Sequence, residues 1–181
     1  MRYTLIAAAL FAAVPLSGQQ AAFHVSNYDL SISLPDTGKA IEGRAVLSVA
    51  RKTRADTLVL DLLDLTVKHV LVAGRDAPFT QDAAHVRIPV AAAHRDTLTV
   101  TVDYGGAVTD GLIIGTDSAG RWMAFGDNWP NRARHWIPSI DHPSDKATVS
   151  WSVTAPASRT VVANGTFMGD TVLADGPTPG V

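Results

Sequence analysis

Thr97–Gly106 reads TLTVTVDYGG. Leu98, Val100, Val102 and Tyr104 fall on one parity, Thr97, Thr99, Thr101 and Asp103 on the other, and two glycines close the run. Such period-two alternation of β-branched and aromatic residues with polar ones marks a strand with one dry and one wet face, as in antiparallel sheets. The same pattern recurs on both sides. Tyr28, Leu30, Ile32 and Leu34 alternate with Asp29, Ser31 and Ser33 and end at Pro35-Asp36-Thr37-Gly38. Val149, Trp151 and Val153 alternate with Ser150, Ser152 and Thr154 and end at Pro156.

Further strands are expected at Ala45–Ala50, Thr66–Val72, Val86–Val90 and Arg121–Phe125. Thr57–Leu65 (TLVLDLLDL) is apolar on both faces, which fits a central strand or a short helix; its strand-rich surroundings favour the strand. Asn164-Gly165, between Val161-Val162 and Phe167-Met168, is a two-residue hairpin signal. Nine or ten short strands at this spacing predict an all-β fold, an antiparallel β-sandwich. Composition agrees. The chain has sixteen Asp but one Glu, Glu42, and few Lys, a poor stock of helix formers beside abundant Thr, Val and Ser.

Leu5–Leu16 is an apolar run preceded by Arg2 and followed by Ser17, Gly18, Gln19 and Gln20. That layout predicts a secretory signal peptide over residues 1–20, cleaved between Gly18 and Ala22, and hence a secreted or periplasmic protein. The run is too short to span a bilayer comfortably, nothing around it caps a helix, and no later stretch is long enough to cross a membrane. Residues 24–181 suit one domain with a substantial core. The formal net charge of −2, without a basic stripe, argues against a nucleic-acid partner. With no cysteine, the core alone must carry stability. After Asp170–Ala174, which starts like a strand, the chain runs out in Gly176-Pro177-Thr178-Pro179-Gly180-Val181. A floppy terminus and a cut in a loop before a further domain both fit that ending.

Chemistry-bearing patterns are sparse. The six histidines, His24, His69, His85, His94, His135 and His142, include no i, i+4 pair and no H-E-x-x-H. His135 and His142, with Asp141 and Asp145, are the one suggestive metal grouping, but the intervening residues, Pro138 among them, fix no coordination geometry. There is no G-x-S-x-G elbow, and with so many Asp, chance proximity explains any carboxylate pair. No catalytic and no metal-ligating residue is assigned. Trp122, Phe125, Trp129 and Trp136 form an aromatic cluster that suits a sugar-stacking platform or a groove wall, and suits better a core or an inter-domain contact.

The segment Ala133-Arg134-His135-Trp136-Ile137-Pro138-Ser139-Ile140-Asp141-His142-Pro143-Ser144-Asp145-Lys146-Ala147 resembles the signature A-R-x-[FW]-x-P-[CS]-x-D-x-P-x-x-K-A. That signature belongs to the N-terminal domain of the aminopeptidase N family of zinc metallopeptidases. Thr160-Val161-Val162-Ala163-Asn164-Gly165 resembles the hairpin that comes after it in the family, Val25–Leu30 the opening strand, and Glu42-Gly43 the start of the second, so the resemblance covers about residues 24–176. It implies a saddle-shaped β-sandwich preceding a thermolysin-like catalytic domain that bears G-x-M-E-N and H-E-x-x-H. Zinc is expected in that domain and no cofactor in this chain, whose single Glu cannot supply the family's zinc ligand, base and amine-binding carboxylates. The chain alone is expected to be inactive.

Many relatives carry Thr-Gln-x-Glu-Pro before the Ala-Arg pair, its Gln lining the substrate pocket. Gly126-Asp127-Asn128-Trp129-Pro130 stands there instead, making Asp127 and Asn128 the substrate-cleft candidates. Ala133, Arg134, Pro138, Asp141, Pro143, Lys146, Asn164 and Gly165 are expected to be structural: prolines pre-setting an exposed loop, Asp141 and Asp145 capping turn amides, Lys146 or Arg134 balancing them. The expected partners are the catalytic domain in cis and the peptide substrate of the whole enzyme. A stand-alone glycan- or protein-binding module and a small hydrolase using paired Asp are the competing readings.

Overall fold

The structure is a computed structural model and describes residues 22–91 and 96–173. The expected signal peptide, His94 and the Gly/Pro-rich end lie outside them. The described chain forms eleven strands: β1 Phe23–Ser33, β2 Ala40–Arg51, β3 Thr57–Asp61, β4 Thr66–Val72, β5 Arg75–Asp76, β6 Thr80–Gln81, β7 His85–Pro89, β8 Thr97–Ala107, β9 Leu112–Thr116, β10 Trp122–Gly126 and β11 Thr148–Thr154. A single 3-10 turn, Ala133–His135, interrupts the all-β pattern. The first layer is a six-stranded sheet in the order β11-β1-β2-β8-β4-β5; a three-stranded sheet, β3-β7-β6, and a β9-β10 ribbon complete the sandwich.

The dry faces follow from alternation. Across the large sheet Leu30 lies opposite Ala45, Ala45 opposite Val102, and Val102 opposite Val70, all of them buried. Against this row the small sheet sets Leu58 opposite Ile88 and Leu60 opposite Val86, in the same hydrophobic cluster. In β1 the buried positions change parity, from Phe23 and Val25 to Leu30 and Ile32. A bulge between Val25 and Asn27 makes this possible, since one extra residue returns both halves to the same face.

Thr57–Leu65 is a strand only as far as Asp61, but Leu62 and Leu65 beyond it are also buried. That continuation is why the stretch reads as apolar throughout. All strand pairs are antiparallel except β1 with β11, which run parallel, Leu30 facing Trp151. The Asn164-Gly165 hairpin does not form: residues 161–173 are exposed and contain no strand, although Gly165 takes the left-handed φ of +109°. A hairpin needs an apolar face to bury, and Val162, Phe167 and Met168 find none here.

Tyr104 on β8 is fully buried opposite Gly43, where an added Cβ would collide with the phenol ring. Only glycine at position 43 admits the ring. The Tyr104 hydroxyl has no hydrogen-bond partner among the described residues, and burial pushes its pKa well up. Because a buried orphan hydroxyl costs more than it returns, Tyr104→Phe is expected to raise stability by about 1 kcal/mol in urea denaturation. A loss of stability would mean that the hydroxyl has a partner.

Candidate functional site

The segment Ala133–Ala147 is held to the sandwich by one ionic cluster. Arg134 donates from Nε to Asp141 Oδ2 at 3.0 Å and from Nη2 to the Asp141 carbonyl at 2.9 Å, and its backbone N–H reaches the same carboxylate at 3.2 Å. Asp61, at the end of β3, accepts the Asp141 backbone N–H at 3.0 Å and lies 3.8 Å from the guanidinium. A backbone bridge between Asp61 and Ser139 fastens the same junction. The Tyr28 hydroxyl of β1 accepts the Ile140 N–H at 3.1 Å, and burial pushes the Tyr28 phenol pKa up.

The structure corrects one expectation about this segment and decides between the two cations expected to balance its carboxylates. Trp136–Ile140, Pro138 included, is buried, so this half of the loop is ordered by burial as well as by proline; Pro143 is exposed as expected. Lys146 is exposed, and it is Arg134 that balances Asp141, while Asp145 accepts from His24 Nδ1 at 2.6 Å and from the Val25 N–H at 3.1 Å. Asp145 therefore caps the start of β1 across the sheet. Ala133 accepts the N–H groups of Trp136 and Ile137 and closes the 3-10 turn.

Asp127 and Asn128 sit just after β10. Asp127 Oδ2 pairs with Arg132 Nη1 at 2.9 Å, and its backbone N–H reaches the Gly111 carbonyl at 2.6 Å. Asn128 Oδ1 accepts the Trp136 indole N–H at 2.8 Å. Trp136 in turn stacks on Trp151 of β11, centroids 5.7 Å apart and planes 11° from parallel, and the Trp151 indole N–H donates to Asn164 Oδ1 at 3.1 Å. Asn164 thus anchors a tryptophan instead of turning a hairpin. The aromatic cluster divides: Trp136 is buried, Trp122 carries the Arg159 guanidinium 5.0 Å above its ring, and Phe125 and Trp129 stay 48% and 80% exposed. Trp122, Phe125, Trp136, Trp151, Arg159 and Asn164 contribute to a groove of ≈ 620 Å³ between β10 and β11.

The suspected histidine grouping is not brought together. His135 Nδ1 faces Asp64 Oδ2 at 3.1 Å, whereas His142 Nδ1 faces the Ser144 hydroxyl at 2.7 Å. Asp64 also accepts from Thr109 at 2.5 Å, and that hydrogen bond, with the one from His135, holds its carboxyl below the usual range. Among the described residues no group of three or more His, Asp or Glu side chains is placed to hold a metal ion. Spacing gave no sign of Asp61, Tyr28, Asp64 or Thr109; each meets its partner only through folding.

Residues 24–178 match the peptidase M1 N-terminal domain family. This chain belongs to that family. As an M1 N-terminal domain it resembles aminopeptidase N of Lactobacillus delbrueckii subsp. lactis, with 23% identity over 161 residues, 86% of this chain and 18% of that protein. Among solved structures it resembles the M1 zinc metallopeptidase of Deinococcus radiodurans, with 28% identity, a TM-score of 0.72, and coverage of 84% of this chain and 37% of that one. Leukotriene A4 hydrolase of Saccharomyces cerevisiae shares the fold at 23% identity and a TM-score of 0.65, over 81% of this chain and 26% of that one. This M1 N-terminal domain therefore spans well under half the length of these relatives.

Proposed function

We propose that this M1 N-terminal domain is the non-catalytic part of an exported zinc aminopeptidase, packing on a thermolysin-like catalytic domain and walling part of its peptide-binding cleft. In this reading residues 1–20 direct export to the periplasm or the medium, and the zinc belongs to the catalytic domain. One observation carries the proposal: Phe125 and Trp129 stay exposed beside a loop whose Asp127 and Asn128 side chains are already tied down. Asp127 is paired with Arg132 and Asn128 with Trp136, so the loop presents its aromatic residues on a fixed frame. Large exposed aromatics on a stiff support are typical of a face built to be covered. In this reading the half-exposed Asp127, on its Arg132 pair, belongs to the wall that faces the substrate.

The test is sedimentation of the purified chain. Self-association is expected, weakened by Trp129→Asp without loss of melting temperature, and suppressed by a separately produced M1 catalytic domain. The aromatic-lined groove between β10 and β11 favours the second reading, a stand-alone glycan-binding module. A monodisperse chain that ignores the catalytic domain would decide for that reading.

A further inference from the structure

Four asparagines occur in the chain, Asn27, Asn128, Asn131 and Asn164, and they differ in their surroundings and in the next residue along the chain. Asn27 lies within the paired strand β1 with its amide donating to Thr148 Oγ1 at 2.8 Å. Asn128 is followed by the bulky Trp129, and Asn131 by Arg132, whose N–H is tied to the Asn128 carbonyl at 3.1 Å. Asn164 is exposed, lies outside any strand, and is followed by Gly165, whose N–H makes no backbone hydrogen bond among the described residues. Nothing lies within 4 Å of where a Gly165 side chain would stand, so the Gly165 nitrogen is free to approach the Asn164 side chain.

A second feature activates the same group. The Trp151 indole N–H donates to Asn164 Oδ1 at 3.1 Å, the oxygen that gathers negative charge if the carboxamide carbon is attacked. Asn128 is the built-in comparison: it receives an equivalent donor from Trp136 at 2.8 Å but has no glycine after it.

We propose that Asn164 is a site of spontaneous covalent modification, deamidating through a cyclic imide formed with Gly165. The Gly165 amide loses its proton to solvent base, and its nitrogen attacks Asn164 Cγ. The new N–Cγ bond forms and the Cγ–Nδ2 bond breaks, releasing ammonia, with no change of oxidation state. Solvent water then opens the imide: cleavage at Cγ gives aspartate, and cleavage at the backbone carbonyl carbon gives isoaspartate. Either product places a carboxylate in the groove that Arg159 also lines. Isoaspartate also lengthens the main chain by one atom and draws the acceptor away from Trp151.

Trypsin cleavage after Arg159 isolates residues 160–181, in which Asn164 is the only amide-bearing side chain. The whole chain is incubated at mildly alkaline pH, digested and mapped by mass spectrometry. Asn164 is expected to convert at least an order of magnitude faster than Asn27, Asn128 or Asn131, to a mixture of aspartate and isoaspartate. Gly165→Val is expected to slow it by a similar factor, because a β-branched side chain hinders the approach, and Trp151→Phe to slow it several-fold by removing the donor. Conversion of Asn164 no faster than that of Asn128, or a Gly165→Val variant reacting like the parent, would overturn the assignment. An unchanged rate in a folded Trp151→Phe variant would remove the indole from it.

Discussion

Gly111→Val is expected to destabilise the domain by roughly 3–5 kcal/mol, the sum of backbone strain and overpacking. Gly111 has φ +73°, and a Cβ there would collide with the Arg132 carbonyl oxygen and stand 2.9 Å from Trp136 Cδ1. Neither neighbour can yield. The Arg132 carbonyl accepts the His135 N–H, and Trp136 is stacked on Trp151 and held by Asn128. The Gly111 carbonyl also accepts from Asp127, so the loop carrying the cleft candidates is fastened at this contact. Gly120→Val provides the comparison: φ is +75°, but nothing lies within 4 Å, leaving only the strain of about 1–3 kcal/mol. Urea denaturation of both variants decides the matter. Equal losses would mean that the close approach at Gly111 is relieved by a small shift.

Asp141→Ala is expected to cost about 2–4 kcal/mol, because it strands a charge that is largely withdrawn from water. The Arg134 side chain is only 24% exposed and Asp141 12%. Without Asp141 the guanidinium keeps Asp61 at 3.8 Å, and the Arg134 backbone N–H loses its acceptor. Arg121→Ala, which removes the 78%-exposed partner of Asp117 and leaves the backbone hydrogen bonds to that carboxylate in place, is expected to remove well under the same amount, since exposed pairs contribute about 0–1 kcal/mol. Thermal melts of the two variants should separate clearly. If they coincide, the signature segment is held by its apolar residues and by the Asp61–Ser139 bridge instead of by the ionic cluster.

Much of the candidate site was visible along the chain, down to a cation, Arg134 or Lys146, balancing Asp141, but the residues that anchor it to the sandwich were not. The Arg134 and Asp141 positions stood out in the signature, yet their common partner Asp61 lies in a stretch that reads as uniformly apolar. Asn164 stood out as a turn former, because Asn-Gly favours positive φ locally. It became an acceptor for Trp151 because the strands needed to complete a hairpin have no apolar surface to share. Pro138 looked like a stiffener of an exposed loop; Trp136 alone was a candidate for the core, and the burial of Pro138 and Ser139 beside it has no local signal.

Strand identity and facing were determined by the sequence itself, since burial of one side of a strand is written at period two within a few residues. The runs at Tyr28–Leu34, Thr97–Tyr104 and Val149–Val153 all belong to strands of one sheet, with only Leu34 lying just past the end of β1, as that local rule requires. Only the tertiary structure decided that β11 lies parallel beside β1, that Trp151 reaches Trp136, and that Asp141 meets Asp61 across 80 residues. Those contacts depend on which strands become neighbours. Neighbour choice is set by filling one shared core and by finding partners for buried polar groups, so it has no local period to read.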